Sequence, residues 1–404
     1  MKHIVILCDG MADYPVEQLN GKTPMSVAKK PHMEHLAKNG CVGLVKTVAE
    51  GLKPGSDVAN LSVLGYDPKL YYAGRSPLEA ASIGIDLKQT DVTLRCNLVT
   101  LSDEPNYEEK TILDYCGGDI STEEAEELIE ELEDQLGCEE FHFYSGVSYR
   151  HCVVWNHGTT DLGTVTPPHD IIGKKIKEYL PSHSNAAKLL DLMRKSCEIL
   201  ENHPVNKKRI AKGLAPANAI WLWGEGYKKP LPSFQEKYGL NGVMISAVDL
   251  LKGIGILTKM KVVDVPGATG YIDTNFDGKA EAAIEELLDG KEFAYVHVEA
   301  PDECGHRAEI DNKIRAIELI DEKIVGPIIQ AMQEHNLDYK VMVLPDHATP
   351  ICKRTHTSDP VPFLFYSSAR EYESDIPCFD EENAKETGVF VAEGDTILEK
   401  FIAY

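Results

Sequence analysis

The chain has 404 residues, which is enough for two or three domains and a sizeable hydrophobic core. Hydrophobic residues make up 43% of it and charged residues 26%, so the composition excludes a disordered, collagen-like or coiled-coil chain. The formal net charge of −24 disfavours binding to nucleic acid or to an anionic membrane surface, because both are negatively charged.

The N-terminal part of the chain begins with a strand pattern and continues with a helix pattern. The apolar run at 3–8 predicts a buried strand. Segment 24–39 has helical periodicity and is followed by Gly40, a common helix stop.

The middle of the chain differs, because polar and apolar residues alternate there. This alternation predicts antiparallel strands at 90–101, 139–145 and 147–155. The step Ser145-Gly146 favours a hairpin between the last two strands. A capping box that starts at Ser121 predicts a helix that ends at Gly137.

Strands and helices alternate again in the C-terminal half. In chain order, we predict a helix at 184–202, strands at 219–223, 242–246 and 260–265, a helix at 279–289, a strand at 294–299, a helix at 308–334 that bends at Pro327, strands at 341–344 and 362–366, and a helix at 394–402. This alternation is typical of an α/β fold with a mostly parallel sheet flanked by helices.

We interpret the two patterns as two domains. The α/β core domain comprises 1–112 and 183–404, and a smaller α+β domain is inserted at 113–182. The ten cysteines contain no Cys-x-x-Cys pair, which favours reduced thiols. The apolar run near the N-terminus is too short for a signal peptide. We therefore expect a cytoplasmic protein without a membrane partner, and the sequence leaves its oligomeric state open.

Candidate metal ligands follow three of the predicted strands. Asp9 comes directly after the first strand, Asp302 and His306 follow the strand at 294–299, and Asp346-His347 follow the strand at 341–344. Polar residues at the carboxyl ends of parallel strands meet at one edge of the sheet, which is where α/β proteins bind ligands. His356 is near enough in sequence to fold back to them.

The spacing of these residues favours metal binding over isolated structural roles. Asp302 and His306 are four residues apart, so a helix would place both on one face, whereas adjacent Asp346 and His347 should point apart. Mixed Asp and His ligands suit Mn²⁺, Zn²⁺ or Mg²⁺. The alternative is that the carboxylates cap helices and that each histidine is a hydrogen-bonded core residue or is exposed.

Ser56 has two interpretations. It stands in Pro-Gly-Ser-Asp at the start of a predicted helix, where serine most often acts as the N-cap. The same position suits a nucleophile, because helix N–H groups stabilise an alkoxide and the phosphate that it attacks.

Short motifs run through nearly the whole chain and carry a family resemblance. They are Cys-Asp-Gly-Met-Ala-Asp (8–13), Gly-Lys-Thr-Pro (21–24), Pro-Gly-Ser-Asp (54–57), Leu-Gly-Tyr-Asp-Pro (64–68), Gly-Arg-Ser-Pro-Leu-Glu-Ala (74–80), Arg-Cys-Asn (95–97), Pro-Ala-Asn-Ala-Ile-Trp-Leu-Trp-Gly (216–224), Pro-Gly-Ala-Thr-Gly (266–270), Pro-Asp-Glu-Cys-Gly-His (301–306) and Pro-Asp-His (345–347). In this order they resemble the archaeal-type cofactor-independent phosphoglycerate mutases of the alkaline phosphatase superfamily.

The resemblance implies two divalent metal ions, with Mn²⁺ preferred over Mg²⁺ or Zn²⁺, and no requirement for 2,3-bisphosphoglycerate. By position, Asp302, His306 and His356 would hold one ion, and Asp9, Ser56, Asp346 and His347 would hold the other. Ser56 would be phosphorylated and dephosphorylated during turnover.

Arginines are the expected ligands for a small phosphorylated or hydroxylated acid, because a planar guanidinium group can donate two parallel hydrogen bonds to one carboxylate or phosphate. For each, a surface salt bridge is the alternative, and for His169-Asp170 it is a helix cap. The substrate candidates are Arg75, Arg95, Asn97, Arg150, His151, His169, Asp170, Arg209 and Asn218.

The predicted reaction is the interconversion of 3-phosphoglycerate and 2-phosphoglycerate through phosphorylated Ser56, with the inserted domain as a lid that excludes water. Segments 58–66 and 80–84 more closely resemble bacterial relatives proposed as homoserine kinases, so a nucleotide-dependent homoserine kinase is the main alternative. A metal-dependent phosphatase or sulfatase and a non-catalytic binding protein are further alternatives.

Overall fold

In the computed structural model, which describes residues 1–370, 372–374 and 376–404, the strands form two separate sheets. In chain order the strands are β1 (Lys2–Cys8), β2 (Cys41–Val45), β3 (Val92–Leu101), β4 (Ile112–Asp114), β5 (Phe141–Tyr144), β6 (Arg150–Trp155), β7 (Ala219–Tyr227), β8 (Gly242–Ile245), β9 (Lys261–Val263), β10 (Phe293–Val298), β11 (Tyr339–Leu344), β12 (Val361–Ser367) and β13 (Phe390–Val391). The chain divides into a first unit, residues 1–72 and 231–404, and a second unit, residues 73–230.

The first unit is built on an eight-stranded sheet in the order β13-β2-β12-β11-β1-β10-β8-β9. Adjacent strands of this sheet run parallel to each other, except that β12 is antiparallel to both β11 and β2. The central strand β1 pairs with β10 on one side and β11 on the other. The mostly parallel α/β architecture predicted from the sequence is therefore confirmed.

Helices connect the strands in both units. In chain order they are α1 (Pro24–Val27), α2 (Pro31–Lys38), α3 (Ser56–Val63), α4 (Pro68–Tyr71), α5 (Ser76–Ser82), α6 (Thr122–Leu136), α7 (Ala187–Leu200), α8 (Pro204–Ala211), α9 (Phe234–Tyr238), α10 (Asp249–Leu257), α11 (Phe276–Leu288), α12 (Ala300–His306), α13 (Ile310–Ile320), α14 (Gly326–Glu334), α15 (Glu381–Glu386) and α16 (Ile397–Ala403). Apolar residues of α2, α11, α13 and α14 pack against the face of the large sheet that carries Ile4, Ile6 and Cys8. Among the described residues, we find no helix with both the length and the apolar character needed to cross a membrane.

Proline interrupts one predicted helix and accompanies an irregular turn in the helix that was predicted to bend at Pro327. The helix expected at 24–39 is interrupted between α1 and α2, because the residue before Pro31 is driven out of the helical region; Lys30 has a φ of −137°. The helix expected at 308–334 consists of α13 and α14 joined by a π-helical turn at Asp321–Val325. Pro327 lacks the N–H of a regular helical turn, which accounts for the irregularity there.

The second unit is built on an antiparallel sheet in the order β4-β3-β6-β5, with β7 also paired to β3. The predicted hairpin is present as β5 and β6. The helix predicted from Ser121 is α6, and Ser121 Oγ accepts a hydrogen bond from Glu124 N at 3.2 Å. The sheet and the helices α6 and α7 enclose one apolar core.

Two sequence-based assignments need correction. The inserted unit spans 73–230 rather than 113–182. The strand predicted at 219–223 is part of β7, which lies in the second sheet and pairs antiparallel with β3. Both errors have one cause: β3 hydrogen-bonds to β6 and β7, so these long-range partners belong to the same unit as the hairpin.

Candidate functional site

Three neighbouring strands of the first unit bring the predicted metal ligands to one edge of the large sheet. Asp9 directly follows β1, Asp302 lies on α12 just after β10, and Asp346 closely follows β11. Because β10 and β11 flank β1 in parallel, their carboxyl ends lie side by side. The sequence separates these residues by up to several hundred positions, and the sheet brings them together.

Asp9, Ser56, Asp346 and His347 form one cluster, which we call the Ser56 set. Ser56 Oγ lies 3.1 Å from His347 Nε2 and 3.5 Å from Asp9 Oδ2. His347 Nε2 lies 3.5 Å from Asp9 Oδ1 and 3.4 Å from Asp346 Oδ2. The adjacent Asp346 and His347 thus converge, and the expectation that they point apart was wrong.

Asp302, His306 and His356 form a second cluster, the His306 set. His306 Nε2 lies 2.9 Å from His356 Nε2 and 3.1 Å from Asp302 Oδ2, and His356 Nε2 lies 3.4 Å from Asp302 Oδ1. The helical spacing of Asp302 and His306 on α12 therefore places both on one face, as predicted. The imidazole rings of His347 and His356 stack with centroids 3.9 Å apart, so the two sets adjoin.

Ser56 is the first residue of α3, and Gly55 occupies the N-cap position. The N-cap interpretation of Ser56 is therefore wrong, and its hydroxyl group instead faces the Ser56 set. Asn60, one helical turn later, fixes this end of the helix: its Nδ2 donates to Ser56 O at 2.8 Å and to Asp346 Oδ2 at 2.9 Å.

Gly10 lets the segment after β1 approach α12 closely. It has a φ of +60°, and a Cβ atom there would lie 2.5 Å from Asp302 Oδ1 and 2.6 Å from Thr349 Oγ1. Any larger residue would collide with the group that carries Asp302. The glycine that follows Asp9 is thus required for the two sets to adjoin.

The carboxylates of this edge are placed where negative charge is costly. Burial, together with the charges of Asp346, Asp302 and Glu299, raises the pKa of Asp9 well above its ordinary value. Asp9 Oδ1 is buried and accepts no hydrogen bond from the described residues. A cation would satisfy this oxygen and offset the repulsion, so the Ser56 set fits a divalent metal ion.

The His306 set also fits a metal ion by the chemistry of its donors. Burial opposes ionisation of Asp302, but hydrogen bonds with His306 and His356 hold the pKa of Asp302 well below its ordinary value. The bond with Asp302 correspondingly raises the pKa of His306 to about 9. One carboxylate and two imidazoles whose ligating atoms converge are a common donor set for Zn²⁺ or Mn²⁺.

Four residues around the two sets were not singled out by sequence reasoning, namely His297, Tyr295, Asn60 and Thr349. His297 lies 2.9 Å from Asp9 Oδ2 and 3.1 Å from Ser246 Oγ, and burial lowers its pKa to about 3, so the neutral ring orients Asp9. Tyr295 donates to Asn60 Oδ1 at 2.7 Å. Thr349 Oγ1 donates to Asp302 Oδ1. The available signals were a histidine inside the apolar strand β10 and an asparagine four residues after Ser56.

The second unit holds the predicted substrate residues, and several share one face of its sheet. Arg95 and Asn97 alternate along β3, and Arg150 is the register partner of Asn97, so the three lie on the same face. Glu79 on α5 accepts from Arg75 Nε at 2.7 Å and from Arg95 Nε at 2.9 Å.

Aromatic residues complete this face, which we call the arginine face. The Arg95 guanidinium lies 4.2 Å from the ring centroid of Trp223, and Trp223 Nε1 donates to Asn97 Oδ1 at 2.9 Å. His169 packs edge-on against Trp223 at 5.4 Å. Five of the predicted substrate residues, Arg75, Arg95, Asn97, Arg150 and His169, therefore lie on or beside this face, and their substrate role stays a prediction.

Two further predicted residues are placed differently: His151 lies apart from the arginine face, and Asp170 lies beside it, with its Oδ1 3.7 Å from His169 Nε2. His151 is buried on the opposite side of β6 from Arg150, its Nδ1 accepts from Gly146 N at 3.1 Å, and burial lowers its pKa to about 3. Asp170 is exposed on a short helical turn at Pro168–Ile171. Their predicted substrate roles gain no support from this placement.

Arg209 and Asn218 have structural contacts instead of the predicted substrate roles. Arg209 is buried, pairs with Glu124 and donates to the carbonyl groups of Gly117, Gly118 and Ala215. Asn218 hydrogen-bonds to both backbone groups of Leu101. These contacts tie loops and strands of the second unit together and account for the burial of both residues without a substrate.

Comparisons with known proteins agree with this architecture. The family model described as 2,3-bisphosphoglycerate-independent phosphoglycerate mutase matches residues 37–206. A protein of Geobacter sulfurreducens named "Probable 2,3-bisphosphoglycerate-independent phosphoglycerate mutase" is 48% identical over 402 residues, which cover 100% of each chain.

Two solved structures are similar over the full length. A protein of Pyrococcus horikoshii superposes with a TM-score of 0.82 at 28% identity, covering 100% of this chain and 96% of that one. A cofactor-independent phosphoglycerate mutase from Thermoplasma acidophilum superposes with a TM-score of 0.69 at 27% identity, covering 100% of this chain and 99% of that one. This chain therefore belongs to the 2,3-bisphosphoglycerate-independent phosphoglycerate mutase family.

Proposed function

We propose that this protein interconverts 3-phosphoglycerate and 2-phosphoglycerate through a phosphorylated Ser56. The observation that carries the proposal is that the Ser56 set holds a serine hydroxyl group at the end of a parallel sheet and directly adjoins the His306 set. The family membership supports the choice of substrate.

Asp302, His306 and His356 would hold one divalent metal ion, and Asp9, Ser56, Asp346 and His347 would hold the other. Such a pair of ions withdraws charge from a transferring phosphoryl group and lowers the pKa of a bound hydroxyl group. Mn²⁺ is our choice because four of the seven proposed ligands, Asp9, Ser56, Asp302 and Asp346, offer oxygen atoms, which suit Mn²⁺, whereas Zn²⁺ favours nitrogen and sulfur ligands.

In the first half of the reaction, Ser56 Oγ bonds to the phosphorus of 3-phosphoglycerate as the bond from phosphorus to the substrate's 3-oxygen breaks. Ser56 loses one proton and the released 3-oxygen gains one, so the half-reaction yields phosphoserine and glycerate. In the second half, the 2-hydroxyl group of the retained glycerate takes the phosphoryl group and Ser56 recovers its proton. The backbone N–H groups at the start of α3 stabilise the negative charge near Ser56.

The arginine face is our candidate for binding the carboxylate of the substrate. Arg95 is largely buried, and the Glu79 carboxylate bridges it to Arg75. A planar guanidinium group in such surroundings is well suited to a second, incoming carboxylate. The lid role predicted for the inserted unit stays a prediction, and release of inorganic phosphate would show that water is not excluded.

A direct assay separates this function from its alternatives. Purified protein with Mn²⁺ receives either 3-phosphoglycerate alone or ATP plus homoserine, and 2-phosphoglycerate, O-phosphohomoserine and inorganic phosphate are measured separately, with Ser56→Ala as the control. We expect 2-phosphoglycerate without nucleotide. O-phosphohomoserine formed only with ATP would establish the homoserine kinase that segments 58–66 and 80–84 favour. Inorganic phosphate as the sole product would identify a phosphatase.

A further inference from the structure

A buried ion pair lies behind the metal-ligand clusters. Lys313, on α13, is completely buried, and its Nζ lies 2.7 Å from Asp13 Oδ2, whose side chain is 1% exposed. Burying a charged pair this deeply costs desolvation free energy unless other groups satisfy its remaining hydrogen bonds, so the partners of this pair indicate its role. Asp13 stands four residues after Asp9, in the segment that follows β1.

The ammonium group of Lys313 uses its three N–H donors to join three parts of the first unit. Besides Asp13, it donates to Thr349 O at 2.9 Å and to Ala12 O at 3.4 Å. Ala12 belongs to the segment of Asp9, and Thr349 belongs to the segment of Asp346 and His347. Lys313 itself is on the helix that follows α12, which carries Asp302 and His306.

Asp13 binds the same segments from the other side of the ion pair. Its two carboxylate oxygens each accept from Ile351 N at 3.2 Å, and Oδ1 also accepts from Tyr14 N at 2.8 Å. Thr349, whose carbonyl group is held by Lys313, in turn hydrogen-bonds to Asp302 Oδ1 and, at 3.3 Å, to His347 Nδ1. The pair is thus one residue removed from ligands of both sets.

We propose that Lys313 and Asp13 are positioning residues that hold the Ser56 set and the His306 set together for metal binding. The proposal rests on the metal binding that we propose for this site. The hydrogen bonds of Lys313 and Asp13 hold three segments in place although the carboxylates on these segments repel one another. Residues that orient metal ligands from behind in this way commonly tune metal affinity.

The test compares Mn²⁺ binding by the wild type, Lys313→Met and Lys30→Met, measured by isothermal titration calorimetry, with circular dichroism as a check of folding. Lys30 is the matched control, because it is also a completely buried lysine of the first unit, and it donates to Met25 O at 2.5 Å, outside the ligand segments. Met has nearly the length of Lys and removes the charge and the donors in both variants.

We expect Lys313→Met to weaken Mn²⁺ binding about 10- to 100-fold, and Lys30→Met to leave it within about twofold of the wild type. Unchanged binding by folded Lys313→Met would overturn the proposal, and so would equal weakening in both variants, because the effect would then be one of general stability. If Lys313→Met does not fold, Asp13→Asn, which keeps the shape and removes the charge, is measured against the same control and judged by the same outcomes. A wild type that binds no Mn²⁺ would refute the proposed metal centre itself, which is a separate result.

Discussion

The two units arrange polar residues on sheets of opposite construction. In the first unit, parallel strands end at one edge, and residues as distant as Asp9, Asp302 and Asp346 become neighbours there. In the second unit, antiparallel strands spread Arg95, Asn97 and Arg150 over a face, where each side chain also has local partners. Converging strand ends therefore identify chemistry more directly than a sheet face does, because on a face a structural partner competes with a ligand for each polar group.

The largest expected effect is on the nucleophile. Ser56→Ala should lower mutase activity by a factor on the order of 10⁴ or more, because no other described side chain of the Ser56 set is a hydroxyl group that could carry the phosphoryl group. The measurement is 2-phosphoglycerate formation together with Mn²⁺ content. The other six proposed ligands are unchanged, so metal should still bind. Substantial residual turnover would show that Ser56 does not carry the phosphoryl group.

Removing the metal should lower the unfolding temperature of the first unit and leave that of the second unit unchanged. Without a cation, Asp9, Asp302 and Asp346 repel one another, so a chelator should lower the unfolding temperature of the first unit by several degrees, as expected for a loss of about 1–3 kcal/mol. The arginine face contains no proposed metal ligand, and the second unit should be unaffected. Differential scanning calorimetry with and without chelator, followed by Mn²⁺ addition, measures both transitions. An equal shift of both units would contradict a metal centre confined to the first.

Substitutions of two arginines should sharpen the assignment within the second unit. Arg95→Met should raise KM for 3-phosphoglycerate about 10- to 100-fold, the loss of one charge-assisted contact, while the protein stays folded. Arg209→Met should instead lower the free energy of unfolding by about 2–4 kcal/mol, because three carbonyl groups and Glu124 lose their donor. Steady-state kinetics and urea unfolding of both variants distinguish these roles. The same outcome for both would mean that the arginine face is structural too.

The smallest expected effect is a difference in pH dependence. Burial raises the pKa of Glu381, which accepts from Asp13 N, from 4.5 to about 6. The folded state binds this proton more tightly, so the contribution of Glu381 is fully present below pH 4.5 and is lost as the pH rises through about 6. His151 in the second unit has the opposite sign: burial lowers its pKa to about 3, so folding gains stability as the pH rises from there towards 6.5.

Urea unfolding between pH 4.5 and 6.5 measures these contributions as differences from the wild type. The difference between wild type and Glu381→Gln should fall with pH, and that between wild type and His151→Gln should rise. Slopes of the same sign would contradict the burial assigned to one of the two groups.

Local sequence patterns were enough to predict the α/β class, the hairpin of β5 and β6, and the residues proposed as metal ligands. These properties depend on local patterns: buried strands, helical spacing such as that of Asp302 and His306, and short motifs. The three-dimensional contacts were needed to show that β7 pairs with β3 and where the second unit begins and ends. They also show that Arg209 has structural partners whereas Arg95 lies on the arginine face. It alone also revealed the ion pair of Asp13 and Lys313. The reason is that strand pairing and buried hydrogen bonds join residues that are far apart in the chain, and no local pattern records which partner each will meet.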